Sequence, residues 1–436
     1  MLPGFGSRDS VSYLTDLHTL YRISSWFIHS SVGLDVACSG TPSSGRSYFV
    51  KGVMLPFQAH QGHQAMPLRQ RPKWPTFQQF TRRQLLIIAL FLVLILGLST
   101  FFPRSKAKQE PAPAFPGPYE ALVEAGEHGF LPLDQARDIC QRRRFEPYAA
   151  RDRRRKVYDL FLINTELDFL EIRLKELDKQ VDYFVILESA TTFQMNPKPL
   201  YLKDKLAQFE AFQHKIIHRV LDDAGAKRLP KDDTWEQERY SRNALFDQAM
   251  LSLTGPQTPN EGDVLIVGDI DEIPRIETLT ALRNCAFPPR VTLRSQMYYY
   301  SYQWLHRGDL WHHPQATYYD GPEKTIKPES LRMDKADVEL YMSGWHCSSC
   351  FGTMADLKNK ITSFSHKHYN QPYFLDTKKL LGKVRRGEDL FERAGELYDR
   401  IDDNPDVPVY LQTVDSRQKF AYMLDRDPEN ANFQDL

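Results

Sequence analysis

From Val157 onward the chain alternates short, uninterrupted apolar runs with stretches of helical spacing. Val157–Ile163 (VYDLFLI), Val181–Glu188 (VDYFVILE), Lys215–Val220 (KIIHRV) and Val264–Val267 (VLIV) read as four strands. Between the first two, Leu167, Leu170, Leu174 and Leu177 recur at helical spacing behind a capping Asn164 or Thr165. Trp235 to Leu253 reads as a further helix, with Tyr240, Leu245 and Leu253 among its apolar positions, and Thr292–Leu305 is β-prone. Strand–helix alternation of this kind predicts an α/β domain with a mainly parallel central sheet. Ligands of such sheets bind at the C-terminal ends of the strands.

Upstream the pattern is different. Leu85–Phe102 (LLIIALFLVLILGLSTFF) is 18 residues without a charge, just long enough to cross a bilayer with help from its flanks. Arg69, Arg71, Lys73, Arg82 and Arg83 precede it, and Arg104, Lys106 and Lys108 follow. The positive bias places the N-terminus in the cytosol. The expected organisation is therefore a largely disordered cytosolic tail over 1–84, a single transmembrane anchor over 85–102 and a Pro-rich, charged luminal stem over 103–154. A catalytic domain over 155–425 and a C-terminal tail over 426–436 complete it. Residues 1–53 differ in character from the Gln/Pro/basic stretch that follows, and Met54 is the expected start of a shorter chain.

Charge changes the picture little. Lys+Arg and Asp+Glu are both 56, which gives no sign of a nucleic-acid partner. The cysteines say more. Cys140, Cys285, Cys347 and Cys350 would be luminal, where disulfides persist. Cys347-Ser-Ser-Cys350 reads as a redox pair, half of a zinc site or a local disulfide. With no second Cys-x-x-Cys and no thioredoxin-like unit, a structural disulfide is expected, its pairing left open. No Asn-x-Ser/Thr sequon is present.

The strongest candidate chemistry is at Asp263-Val-Leu-Ile-Val-Gly-Asp-Ile-Asp-Glu272. Extended geometry puts Asp269 and Asp271 on one side of the backbone, at the end of a buried strand. Two carboxylates there call for a counter-charge, such as a hard divalent cation carrying a diphosphate. Glu188 and Ser189, at the end of another strand, are candidates to read a nucleotide. Arg239 and Arg242, at i and i+3 on one helix, are candidates for its phosphates. Tyr298, Tyr299, Tyr300, Tyr302, Trp304, His306, Trp311, His312 and His313 form a belt suited to stacking on sugars. His346, in Ser343-Gly-Trp-His-Cys-Ser-Ser-Cys350, is a candidate to complete a metal shell.

In that order, DLFLINTELDFLEIRLKEL, DYFVILESATTF with KPLY, WEQERYSRN, DVLIVGDIDEIP and GWHCSSCF resemble glycosyltransferase family 17 over roughly Val157 to Gly387. The resemblance implies a GT-A-like fold, a nucleotide-sugar donor (UDP-N-acetylglucosamine in the usual case), Mn2+ or Mg2+, and inversion at the anomeric carbon. The acceptor it implies is a glycan on a glycoprotein, and the anchor and stem suit a Golgi membrane enzyme with a luminal catalytic domain. Asp269 and Asp271 would hold metal and diphosphate, with His346 as a later ligand. Glu272 and Asp320 are candidates for the base that takes the acceptor's proton, with Asp309 and Glu329 in the same interval. Competing readings are a transferase with another nucleotide sugar or a glycolipid acceptor, a membrane-tethered lectin, and a metal-dependent hydrolase.

Overall fold

The structure is a computed structural model that describes residues 126–226, 228–230 and 233–436. The expected anchor at 85–102, the tail before it and Met54 lie outside the described residues. Among the described residues no helix is long and apolar enough to cross a membrane.

A ten-stranded mixed sheet forms the centre. Its strands are β1 (Val157–Ile163), β2 (Tyr183–Glu188), β3 (Ile216–Val220), β4 (Val264–Val267), β5 (Glu272–Pro274), β6 (Val291–Tyr299), β7 (Ser301–His306), β8 (Gln315–Tyr318), β9 (Val338–Ser348) and β10 (Tyr398–Arg400). The path runs β10-β7-β6-β8-β4-β1-β2-β3, and β9 pairs with both β5 and β6. The four strands read from apolar runs are the parallel half: β1 pairs in parallel with β2 and β4, and β2 with β3. The other half is largely antiparallel, with only β6 and β9 running together. The expectation of a mainly parallel sheet thus holds for one half.

Strands β1, β2 and β4 of the parallel half are buried because both their faces are covered, while β3 at the edge is only partly buried. On one face Val157, Phe161 and Ile163 pack with Phe169, Leu170, Leu174 and Leu177 of helix α2 (Leu167–Leu177). On the other, Tyr158 and Leu160 meet Leu245, Phe246 and Met250, which follow helix α4 (Thr234–Ala244). Each fully buried Leu or Phe contributes about 1.5–3 kcal/mol relative to an exposed one. Helix α1 (Leu133–Arg142) and helix α5 (Ile276–Asn284) are tied by a Cys140–Cys285 disulfide, Cys285 following the last residue of α5.

Two boundaries shift. Residues 133–154 belong to the domain rather than to a stem: α1 is disulfide-linked, and Arg153 and Arg154 pair with Asp263 and Asp182. Residues 426–436 are not a tail. Arg426 is fully buried and donates to the carbonyls of Tyr300, Phe351 and Ala431, and Phe433 is in the core.

Candidate active site

Because β1, β2 and β4 run in parallel, their C-terminal ends share one rim, and the loop Gly268–Asp271 leaves from it. Gly268 is required there: a Cβ would lie 2.9 Å from Pro314 Cβ and 3.2 Å from Glu272 Oε2. Arg173 of α2 fixes the loop from below. Its guanidinium makes two 2.7 Å bonds to the buried Asp159 of β1 and donates to the carbonyls of Asp269, Ile270 and Glu272 at 2.8–3.1 Å.

The two aspartates point into different surroundings. Asp269 keeps 42% of its side-chain surface, whereas Asp271 keeps 8%, so the first faces the opening and the second the interior. Asp269 lies 3.2 Å from Arg332 of helix α6 (Pro328–Met333) and 3.7 Å from Arg242. Asp271 accepts a 3.0 Å bond from Lys360 of helix α7 (Met354–Ser363) and lies 3.7 Å from His346 Nε2. Burial alone would raise the Asp271 pKa, but the Lys360 ammonium and His346 outweigh it and hold the group well below the usual carboxylate range. Asp269 is lowered too, burial being outweighed by Arg332.

His346 arrives through strand register. β9 pairs with β5 so that His346 lies opposite Glu272. Its ring packs 4.6 Å from Trp311, and its buried Nδ1 has no hydrogen-bond partner. Other buried polar atoms without partners cluster at the same rim: Asn164 Oδ1 after β1, Lys198 Nζ after β2, and Arg242 Nε. Buried orphans are uncommon in folded proteins.

The remaining expected site residues separate. Glu272 is fully buried and saturated, accepting from Arg332 at 2.8 Å, Trp311 Nε1 at 2.8 Å and the Asp269 amide at 2.8 Å. It holds the loop and leaves no oxygen for an acceptor proton. Asp320 is at the wrong end of the sheet. β8 is antiparallel to β4, Gln315 opposite Val267 and Tyr318 opposite Val264, so the chain reaches Asp320 at the opposite rim. There it precedes the short helix Gly321–Lys324, its amide donating to Thr325. Glu188 is fully buried and accepts from the amides of Leu202 and Lys203 at 2.8 and 3.1 Å, at the start of helix α3 (Tyr201–Lys205), and bonds His218 at 3.0 Å. This carboxylate is committed to the fold. Ser189 begins the rim loop, its hydroxyl 3.2 Å from that of Thr191.

The two arginines of α4 part company. Positions three apart differ by about 60° around a helix. Arg242 falls beside the buried Glu238 and reaches the rim, 3.3 Å from Glu329, whereas Arg239 is 53% exposed and pairs with Glu236. The aromatic belt is mostly core: Tyr298, Tyr299, Tyr300, Tyr302 and Trp304 are buried. Of its members, Trp311 and His313 approach the site. Burial and Arg332 lower the His313 pKa to about 4, so its ring is neutral at pH 7. Sequence reasoning missed Arg173, Arg332 and Lys360, basic residues on helices distant in sequence, with no local signal to mark them.

Among the described residues no three His, Cys, Asp or Glu side chains form a ready metal cage. A hard cation that keeps substrate phosphates in its shell needs only one or two protein carboxylates. Asp271, with His346 Nε2 3.7 Å from it, meets that requirement.

The rim of the mixed sheet thus gathers two aspartates, a histidine and a guanidinium. The chain belongs to glycosyltransferase family 17, whose profile matches residues 82–422. It is similar to the beta-1,4-mannosyl-glycoprotein 4-beta-N-acetylglucosaminyltransferase of Homo sapiens, 25% identical over 307 residues, covering 62% of this chain and 55% of the relative. The proteins of that name from Rattus norvegicus and Mus musculus are each 25% identical over 315 residues, covering 63% of this chain and 56% of the relative. The chain thus spans little more than half the length of these curated relatives.

Proposed function

We propose that the protein is an inverting, divalent-cation-dependent glycosyltransferase of GT-A-like architecture. It transfers N-acetylglucosamine from UDP-N-acetylglucosamine to a mannose-containing glycan on a glycoprotein, on the luminal side of a Golgi membrane in which residues 85–102 anchor it. One observation carries the reading: Asp269, Asp271, Arg242 and His346 converge on a single sheet rim. Family membership and the activity named for the relatives support the donor and acceptor classes.

Asp271 and His346, with Asp269 beside them, would hold a Mn2+ or Mg2+ ion brought in with the diphosphate, which neutralises charge on the leaving group. The chain does the rest. Arg242 has unused donor capacity at Nε for a phosphate oxygen. Arg173 and Arg332 keep the Asp269–Glu272 loop rigid, so the carboxylates need no reorganisation during the reaction. The acceptor oxygen bonds to the anomeric carbon as the bond from that carbon to the diphosphate oxygen breaks. The acceptor's proton passes to a carboxylate within hydrogen-bond reach.

A thermal-shift panel of nucleotide sugars with and without Mn2+ tests the donor, since a ligand of the folded state raises apparent stability by mass action. UDP-N-acetylglucosamine with Mn2+ is expected to give the largest shift and Asp271→Ala to lose it. Wild-type turnover in Asp271→Ala would defeat the assignment.

A further inference from the structure

The rings that can reach a sugar are not the ones in the 298–304 strands. Among the described residues the exposed large aromatics are Trp235 (55%), Tyr341 (67%) and Tyr373 (46%). Two of these three end one continuous run of rings. Trp235 stands edge-on to His366 at 4.9 Å, His366 lies 6.1 Å from Tyr369, Tyr369 5.6 Å from Phe374, and Phe374 5.2 Å from Tyr373. Phe391 backs the run, stacked 3.8 Å from Tyr369. His366 is exposed to solvent, and Tyr369 and Phe374 are half-buried. Their buried sides pack on the domain and their outer sides remain open.

This ledge is joined to the catalytic rim by three elements. It continues from α7, the helix that brings Lys360 to Asp271. Thr234, at the start of α4, donates to the Ser365 carbonyl at 2.6 Å. The Ser365 hydroxyl donates to Glu238, which pairs with Arg242. From the loop after β2, Gln194 donates to the Phe364 carbonyl at 3.0 Å and accepts from Asn370 at 2.9 Å. The open aromatic run therefore starts on the helix that carries Arg242, about two turns before it. An apolar partner helix would not favour this surface, because the rings are interleaved with imidazole, amide and phenol groups. A pyranose, with apolar C–H faces and a polar edge of hydroxyls, matches that mixture.

We propose that the ledge from Trp235 through His366 and Tyr369 to Tyr373 is the acceptor subsite, holding successive sugar rings of a neutral oligosaccharide while its terminal hydroxyl faces the Asp269/Asp271 rim. The proposal rests on the transferase reading and extends it to the acceptor.

The test uses the full chain in detergent with UDP and Mn2+, and the trimannosyl core pentasaccharide as probe. Binding is read by saturation-transfer NMR and by the fluorescence of the exposed Trp235. Trp235→Ala and His366→Ala, both at exposed positions, are each expected to weaken pentasaccharide binding about tenfold. Trp235→Phe should retain most of it. In all three variants the thermal shift given by UDP-N-acetylglucosamine should equal the wild-type value. Pentasaccharide affinity unchanged in Trp235→Ala and His366→Ala, or no binding by the wild type, overturns the ledge. Loss of the nucleotide-sugar shift in the wild type itself overturns the transferase reading instead, so the two failures are told apart.

Discussion

Removing Arg332 gives the sharpest check on how the aspartate loop is held. Its side chain is 4% exposed and grips the fully buried Glu272 through bonds of 2.8 and 3.1 Å, with a third contact to Asp269 at 3.2 Å. Arg332→Met keeps the stem's bulk and strands a buried carboxylate. Breaking a buried pair from one side costs about 3–5 kcal/mol. Trp311 and the Asp269 amide still bond Glu272, which favours the lower end, about 3 kcal/mol. With a urea dependence of about 3 kcal/mol per molar, the unfolding midpoint should fall by about 1 M. The pH dependence supplies a signature with an opposite sign in the variant. In the wild type, burial pushes the Glu272 pKa up, but Arg332 and then His313 outweigh it, leaving the group far below its ordinary value. That stabilisation is complete above the unfolded pKa of about 4.3 and fades as pH falls below it. In Arg332→Met the buried, unpaired Glu272 should titrate above its ordinary value, so the variant loses stability as pH rises through that higher pKa. The gap between the two proteins should therefore narrow from pH 7 to pH 5, and Arg332→Met/Glu272→Gln should recover much of the loss at pH 7. A gap under about 1 kcal/mol, or one that widens on acidification, refutes the reasoning.

Three further outcomes are expected. Lys360→Met removes the ammonium that competes for Asp271 and should raise Mn2+ affinity about tenfold, measured by electron paramagnetic resonance titration; unchanged affinity would show that Lys360 does not occupy the cation's place. Arg242→Ala should raise the donor KM by about tenfold or more while Arg239→Ala leaves it unaltered, a contrast read from initial rates with UDP-N-acetylglucosamine. Replacing both Cys140 and Cys285 by Ser should cost about 3–5 kcal/mol in denaturant, given the sequence separation of 145, and leave kcat/KM intact where the protein is folded.

Periodicity captured β1, β2 and β4 because those strands are largely apolar on both faces, whereas the edge strand β3 carries His218 and Arg219. β4 is four buried aliphatic residues, and β1 is interrupted only by Asp159, which Arg173 neutralises. The antiparallel half carried weaker signals. β8 is Gln-Ala-Thr-Tyr and β9 contains Ser343, Gly344 and His346, so neither stands out as a core strand, and their directions are set by partners far away in the chain. That hidden direction is what misplaced Asp320. Spacing counted Asp320 within a plausible interval, but reversal of β8 carried it to the far rim. The misreading of the aromatic belt has a similar cause. Tyr298 and Tyr300 satisfy their hydroxyls internally, on Asp406 at 3.1 Å and on the Glu388 carbonyl at 2.9 Å. Composition cannot tell a phenol bonded inside the fold from one offered to a sugar.

The paired aspartates show the limit most clearly. Two carboxylates at a buried strand's end do require counter-charge, but residues 60 to 90 positions further on already supply it, Arg332 to Asp269 and Lys360 to Asp271. The loop's carboxylates are thus partly neutralised before any ligand arrives, Lys360 offsetting Asp271 and Arg332 shared between Asp269 and Glu272, which limits like-charge repulsion. On the proposed function, a cation and its diphosphate would enter by exchange rather than by filling a void. The Lys360 ammonium would leave Asp271 to such a cation and could then meet the phosphates brought with it. Flexible on its four-carbon stem, Lys360 can make that move, whereas Arg332, held by two bonds to the buried Glu272, cannot. The same rim therefore combines a fixed cation that shapes the loop with a flexible one that the proposed donor complex would displace.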